Sequence, residues 1–333
     1  MVLILVKTAA GGLRVRGWSL RPYIMSIFDT QVLPITIAIA GATGAMGKLI
    51  VSELCKRSVA VKALVRPGTG HARIETLRQL GTVTVAEVDL ADKTTLTREL
   101  QGAKCVVSSL QGLADVILTA QGRLLDSAMA TKVPRFIPSD FSLDFTKTQP
   151  GSNRNLDLRR EFHSRLDQSN IAWTSILNGG FMDLLTSEMS LIDKKKRRIT
   201  YVGSADQKLD FTTMVDTAAY TAAVAADPNP TPKFLRIAGD VFSANDLAKV
   251  VTTVEGSPFT VSSIGGLWLM ELIISAMKRL GGSDQTMPAW QGMQYLTNMF
   301  SGQGKLEPLD NDRYPDIKWT KVGPFLRRSY NKD

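Results

Sequence analysis

Beyond Pro34 the chain alternates short runs of apolar, β-branched residues with stretches whose apolar positions recur at helical spacing. "ITIAIAG" (Ile35–Gly41) is apolar apart from Thr36, the pattern of a strand covered on both faces, and Ala45–Arg57 carries its apolar side chains three and four positions apart. The pair repeats. "VAVKALVR" (Val59–Arg66) precedes a helix through "ARIETLRQLG", "VTVAEVDL" precedes one around Thr94–Leu100, and "AKCVVSSL" precedes one over Ala120–Ala130, which leads into "VPRFIPSDF". Strands that alternate with helices run parallel through right-handed crossovers, so the fold class expected is α/β, a Rossmann-type doubly wound parallel sheet.

After Asp144 the rhythm loosens. A loop rich in Thr, Pro, Gly and Asn (Thr146–Asn155) precedes a helix over Leu156–Ser169, and "IAWTSILNGGFM" reads as a strand ending in a glycine turn. Residues 34–155 are therefore expected to form the nucleotide-binding domain. Residues 156–333 are expected to add the last strands of the sheet and a smaller α/β lobe over its carboxyl edge, where open α/β sheets bind ligands. Residues 1–33 are set apart as an N-terminal extension. The first 24 hold four cations and no acid, as in a transit-type presequence; the alternative is a start placed too early, with Met25 the usual beginning.

Composition narrows the classes. With 44% apolar and 21% charged residues the chain is expected to fold, and no apolar run reaches the roughly 18–20 residues that cross a bilayer. The longest, "IGGLWLMELIISAM" (Ile264–Met277), is broken by Glu271 and reads as a buried helix or pocket wall. Two cysteines, Cys55 and Cys105, and two histidines, His71 and His163, make neither a disulfide framework nor a metal site. A formal charge of +9 raises the question of nucleic acid, but no basic repeat is interleaved with aromatics, and small anionic ligands account for the balance. "KKKRR" (Lys194–Arg198) reads as a solvated helix end before "ITYVG", with a nuclear-targeting or phosphate patch as the alternative. A monomer or homodimer in the cytoplasm is expected, with neither membrane nor nucleic-acid partner; a true presequence would redirect it to an organelle.

The sharpest chemistry lies in Gly41, Gly44 and Gly47, a G-x-x-G-x-x-G turn with Thr43, Ala45 and Met46 between them. Glycine there permits positive φ and lets main chain approach a pyrophosphate, while the helix that follows aims free N–H groups at the anion. At the end of the second strand, where an acid would hold the ribose hydroxyls of NAD, stands Arg66, with His71 and Arg73 nearby. A cation suits the 2′-phosphate of NADP(H). The alternative is a solvated loop residue.

"GATGAMG", "LVRP", "VVSSL" and "RFIPSDF" (Arg135–Phe141) together resemble the NmrA-like and isoflavone-reductase-like atypical short-chain dehydrogenases, and the resemblance extends more loosely from Ile35 to Asp216. It implies NADP(H) across Gly41–Gly47 with Arg66 on its 2′-phosphate. It further implies that Ser108, Ser109 and Leu110 line the cofactor's path and that Pro138, Ser139 and Phe141 approach the nicotinamide. Ordinary strand-end and core roles are the alternatives for the two serines and Phe141. Plant reductases of this family carry a lysine in a pattern resembling F-x-x-K-x-x-x-R, and here that position is Arg159. A guanidinium can hold or polarise an oxyanion but is a poor proton carrier. His163, one turn on along the same face, titrates in a range suited to acid–base work. Against these readings, Arg159 could belong to a solvated face with Arg160, Asp157 and Glu161, and His163 could be structural. Lys147 lies in the loop, and Asp216 reads as a cap opening a helix over Thr217–Ala226.

The expected function is NADPH-dependent reduction of a small, largely apolar, aromatic (phenylpropanoid-like) substrate, with Phe181, Met182 and the Trp268–Met277 helix as apolar walls or, alternatively, plain core. The alternative is an NADP(H)-sensing regulator that binds a protein partner without turnover. No G-x-S-x-G, H-E-x-x-H or P-loop occurs, and neither Tyr201 nor Tyr220 is followed four residues on by lysine.

Overall fold

The computed structural model describes residues 35–187 and 190–331; the N-terminal extension read above lies outside them. The apolar runs form one parallel sheet of β1 (Thr36–Ala40), β2 (Ala60–Val65), β3 (Val83–Glu87), β4 (Cys105–Ser108), β5 (Arg135–Ile137) and β6 (Ala172–Trp173). Their order is β3-β2-β1-β4-β5-β6, so the chain reverses direction across the sheet between β1 and β4. The crevice beyond the carboxyl ends of these two strands is the ligand position of such sheets.

β1 is central, and its alternation shows why it carries no polar residue between Ile37 and Ala40. Ile37 and Ile39 enter one layer with Ile50, Leu54, Ala218 and Tyr220; Ala38 and Ala40 enter the other with Leu96, Leu124, Phe162 and Leu166. The first layer is built by α1 (Ala45–Lys56) and α6 (Met214–Ala226). The second is built by α3 (Lys93–Leu100), α4 (Gln121–Ala130) and α5 (Arg154–Asp167). A further helix, α2 (His71–Arg78), joins β2 to β3.

At Thr174 the strand beginning with β6 changes partner. β6 pairs with β5, while β7 (Ser175–Leu177) pairs in parallel with β12 (Phe234–Arg236). Past β7 the chain enters a second lobe. β8 (Gly180–Phe181), β11 (Leu209–Thr212) and β13 (Asp240–Phe242) form one small sheet, and β9 (Ile192–Asp193), β10 (Arg198–Tyr201) and β14 (Thr260–Ser263) form another. Met182, Ile199, Phe211, Phe242, Leu247 and Val251 fill its core, with Phe211 and Phe242 stacked at 4.9 Å. Helices α7 (Ala244–Glu255), α8 (Leu267–Leu280), α9 (Ala289–Phe300) and α10 (Val322–Tyr330) complete the lobe.

Three local readings change. The basic run is not a helix end. Lys194–Arg197 turn between β9 and β10, where Asp193 pairs with Arg198 across the strands and accepts the Lys196 N–H at 3.0 Å. The alternating "RITY" that follows favours an extended partner to Leu191 and Ile192. Asp216 is not the cap: Thr213 is, accepting the Asp216 N–H at 3.0 Å, so the helix opens at Met214. The Asp216 carboxylate instead accepts from the N–H and hydroxyl of Thr320 at 2.8 and 3.1 Å, pinning the C-terminal segment. Of the two readings of Ile264–Met277, a buried helix or a pocket wall, the first is overturned: α8 buries only Met270 and Ile274 and leaves Trp268 and Leu272 exposed. Among the described residues no helix is long and apolar enough to cross a membrane.

Candidate functional site

β1 ends at Ala40, and Gly41 follows at φ +82°. A Cβ on Gly41 would fall 2.4 Å from the Ser109 carbonyl oxygen, and one on Gly47 would fall 2.2 Å from the Gly41 oxygen. The fold itself therefore demands these two glycines, one for its backbone angle and both for close approach. Gly44 differs. It caps α1 at φ −75°, and an added Cβ would meet only the Gly41 oxygen, at 3.3 Å. α1 has no side-chain cap and no acid in its first turn, and the N–H groups of Ala45, Met46 and Gly47 make no bond among the described residues. Gly44 and Ala45 are exposed, Thr43 is half-buried and Met46 is buried. The turn is thus an open cradle of uncommitted donors at the positive end of a helix.

Arg66 stands one residue past β2, exposed. Its carbonyl accepts from the N–H and hydroxyl of Thr69 at 3.1 and 2.6 Å, which closes the turn, while its guanidinium has no partner among the described residues. The nearest strand-end acid, Glu87 beside Val65, is engaged by the Gly68 N–H at 3.3 Å. His71 is exposed and faces Glu75 at 3.7 Å.

The ends of β4 and β5 are stitched together. Ser109 donates its N–H to Ala40 at 2.8 Å, Ser139 donates its hydroxyl to the Leu110 carbonyl at 2.7 Å, and the Ser139 N–H reaches Gln121 Oε1 at 2.9 Å. Gln121 had no signal in the sequence. It is fully buried and follows a π-helical turn over Asp115–Ala120, a feature that recurs near functional sites. Ser108 is fully buried, with no partner for its hydroxyl among the described residues. Pro138 is buried, and Phe141 is half-buried against the layer that contains Ile37.

The "NGG" turn after β7 joins this edge, since the N–H groups of Asn178 and Gly179 both donate to Ser142 O, at 3.0 and 3.1 Å. Gly179, at φ +70°, lies so close to β11 that a Cβ would sit 2.3 Å from Asp210 O. Burial pushes the Asp210 carboxyl above the usual range, against the pull of the Leu306 N–H and Lys305. Asn178 is fully buried, and among the described residues neither its Oδ1 nor its Nδ2 has a partner. Such a group is costly unless something satisfies it. Its only trace in the sequence was its place at the end of an apolar strand, directly before two glycines.

α5 brings Arg159 and His163 to the same loop. Arg159, half-buried, donates Nε to the Asp140 carbonyl at 2.9 Å and Nη1 to the Asn155 carbonyl at 2.8 Å; its Nη2 has no partner among the described residues. The pairing with Asp157 belongs to its neighbour, Arg160. His163 is buried, with Nε2 on Asp140 Oδ2 at 2.7 Å. Lys147 clasps the Lys305 and Glu307 carbonyls at 3.0 Å each. Phe181 is half-buried against the first layer, whereas Met182 is fully buried in the core of the second lobe. A cleft of about 780 Å³ lined by Lys208, Asn245, Asp246 and Lys249 contains none of the expected site residues. Among the described residues no histidine, cysteine and carboxylate group has the arrangement of a metal site.

Similarity to known proteins extends over nearly the whole described chain. Isoflavone reductase homolog P3 of Arabidopsis thaliana is 25% identical over 312 residues, covering 87% of this chain and 96% of that one. Leucoanthocyanidin reductase from Vitis vinifera, solved with NADPH, superposes at TM-score 0.72 with 17% identity, over 90% of this chain and all of that one. The NADPH-dependent quinone oxidoreductase of Escherichia coli, solved with NADPH, superposes at 0.69 with 21% identity, over 89% and 100%. At such identities the two structures establish a shared fold. The model of the NmrA-like family matches residues 35–321, and with the glycine turn, the stitched strand ends and the two-lobed fold in place, the chain belongs to that family.

Proposed function

We propose that this protein is an NADPH-dependent reductase of a small, largely apolar, aromatic molecule of phenylpropanoid type. The observation that carries the reading is the pairing of two uncommitted anion-binding features at one sheet edge: the open N–H cradle of Gly44–Gly47 and the unpartnered guanidinium of Arg66. An orphaned cation and orphaned donors fit a ligand with two phosphate positions. The relatives named as isoflavone, leucoanthocyanidin and quinone reductases support the class of reaction.

In this reading Gly41–Gly47 hold the pyrophosphate, Arg66 the 2′-phosphate, Ser108, Ser109 and Leu110 the path between β1 and β4, and Pro138, Ser139 and Phe141 the nicotinamide end. The bound cofactor supplies hydride. Arg159 holds the substrate oxygen through Nη2 and stabilises negative charge developing there, and a single such donor is worth roughly 10²–10³ in rate. A guanidinium does not give up its proton, so the proton that completes the product comes from water. Phe141 and Phe181 offer half-buried aromatic surface to the substrate. The engagement of Arg159 with two main-chain carbonyls favours, as a second reading, a family member that binds NADP(H) and regulates a partner without turnover.

Tryptophan-fluorescence titration with NADPH and NADH, followed by NADPH consumption with a panel of aromatic enones, benzylic ethers and quinones, separates the two. Tight NADPH binding with turnover of one panel class supports the reductase. Tight binding with no turnover across the panel moves the assignment to the regulator.

A further inference from the structure

Arg159 and His163 lie one turn apart on α5 and grip the same residue by its two ends. Arg159 Nε takes the main-chain oxygen of Asp140 at 2.9 Å, and His163 Nε2 takes its carboxylate at 2.7 Å. The same carboxylate oxygen, Oδ2, accepts the Ser175 hydroxyl at 2.6 Å, and the Asp140 N–H donates to Pro138 O at 2.9 Å. Asp140 is thus anchored to α5, to β7 and to its own loop, and it is fully buried.

The histidine has little freedom. Its ring lies flat against Phe234, at 5.3 Å and 14°, and meets the edges of Trp173 at 4.7 Å and Phe145 at 5.0 Å. A carboxylate offers only acceptors, so Nε2 carries the proton, while Nδ1 is buried without a partner. Enclosed in this way and buried, His163 bears on the Arg159 guanidinium through Asp140, which both residues hold.

We propose that His163, Asp140 and Ser175 are positioning residues that fix the Asp140 carbonyl, and with it the direction of the Arg159 guanidinium, so that Nη2 forms a preorganised site for a phenolate or enolate oxygen. This inference rests on the reading of Arg159 given above. The physical gain is entropic. An arginine side chain loses rotamer freedom when held, and a rigid carbonyl anchor meets that loss before a ligand arrives.

The test needs no cofactor and no turnover. The full chain is titrated with 4-nitrophenol at a pH where the free probe is mostly neutral, and the absorbance of the bound phenolate is read beside the melting temperature of each variant. Arg159→Met is expected to weaken phenolate binding about tenfold or more, the equivalent of one charge-assisted hydrogen bond. His163→Phe is expected to weaken it about three- to tenfold, and His163→Gln, which restores a donor to Asp140, to stay within about twofold of wild type. A purely structural histidine would lower the melting temperature of His163→Phe and leave phenolate affinity unchanged; that result overturns the proposal. Should His163→Phe not fold, Ser175→Ala decides the matter: severalfold weaker binding supports the role, and wild-type binding refutes it. If Arg159→Met itself binds phenolate normally, the Arg159 reading fails first and the positioning role falls with it.

Discussion

Gly41 passes so close to Ser109 that a single methyl group between them would sit 2.4 Å from the Ser109 carbonyl oxygen. That approach locks the turn after β1 against the end of β4, and it brings the glycine cradle and the Ser108–Leu110 segment to one crevice.

Gly41→Ala and Gly44→Ala therefore separate folding from ligand approach. At Gly41 the substitution meets both a positive φ and a main-chain clash, costing about 2 kcal/mol or more and lowering the melting temperature by several degrees. At Gly44 the backbone angle is ordinary and the single contact mild, so stability changes by less than about 1 kcal/mol. NADPH affinity is nonetheless expected to fall about tenfold or more, since in the proposed reading the new Cβ stands where the pyrophosphate approaches. Thermal melts and fluorescence titrations of both variants provide the check.

Arg66→Ala is expected to weaken NADPH binding about 10- to 100-fold, as loss of a charge-assisted contact to phosphate does, and to leave NADH binding unchanged. Stability should not move, since the side chain has no partner to lose among the described residues. Equal weakening for both cofactors would remove Arg66 from the 2′-phosphate.

The stability of the second lobe should carry an acid signature from Asp246. Its carboxyl is lowered to about 2 by the Lys208 ammonium and then by the N–H and hydroxyl of Ser243, the cap of α7. A carboxyl whose folded pKa lies below its unfolded value of about 3.9 contributes stability above that value and loses it as pH falls toward 2. Asp246→Ala is expected to cost about 1 kcal/mol at pH 7, since the position is partly exposed and screened. The gap from wild type should close between pH 4 and pH 2. A gap independent of pH in melts over this range would assign the effect to helix propensity instead.

The two cysteines should label in order. Burial pushes the Cys105 thiol up to about 12, inside the central sheet, and raises the half-buried Cys55 less. At pH 8 a maleimide is expected to modify Cys55 slowly and Cys105 only after denaturant is added. Mass spectrometry of the native and unfolded chain gives the answer directly.

Much of the first lobe was legible from pattern alone. "ITIAIAG" announced a strand with no solvent face, and Ile37–Ala40 alternate between two helical layers as such a run must. The spacing of Gly41, Gly44 and Gly47 and the position of Arg66 were equally visible, because they depend on offsets along one strand–turn–helix unit. Asp216 shows where that legibility ended. It reads as a cap before Thr217, whereas Thr213 caps the helix one turn earlier and the carboxylate's partner, Thr320, lies 104 residues away. The basic run failed for a similar reason: lysine and arginine suit a helix end as well as a turn, and pairing of β9 with β10 settled between them.

Periodicity, turn chemistry and charge at a strand end are properties of neighbouring residues, and they were enough for the α/β class, the glycine cradle and the cation beyond β2. The choice of hydrogen-bond partner in a buried space is not local. The sequence offered Arg159 as an oxyanion holder and His163 as an acid–base group on one helical face, and did not decide which of them would turn inward. Only the packing of Phe145, Trp173 and Phe234 around the imidazole turned His163 inward to Asp140, while Arg159 keeps an Nη2 with no partner among the described residues. Asn178 and Gln121 likewise became notable only when the folded chain removed water from them, because burial decides whether a polar group is unremarkable or expensive.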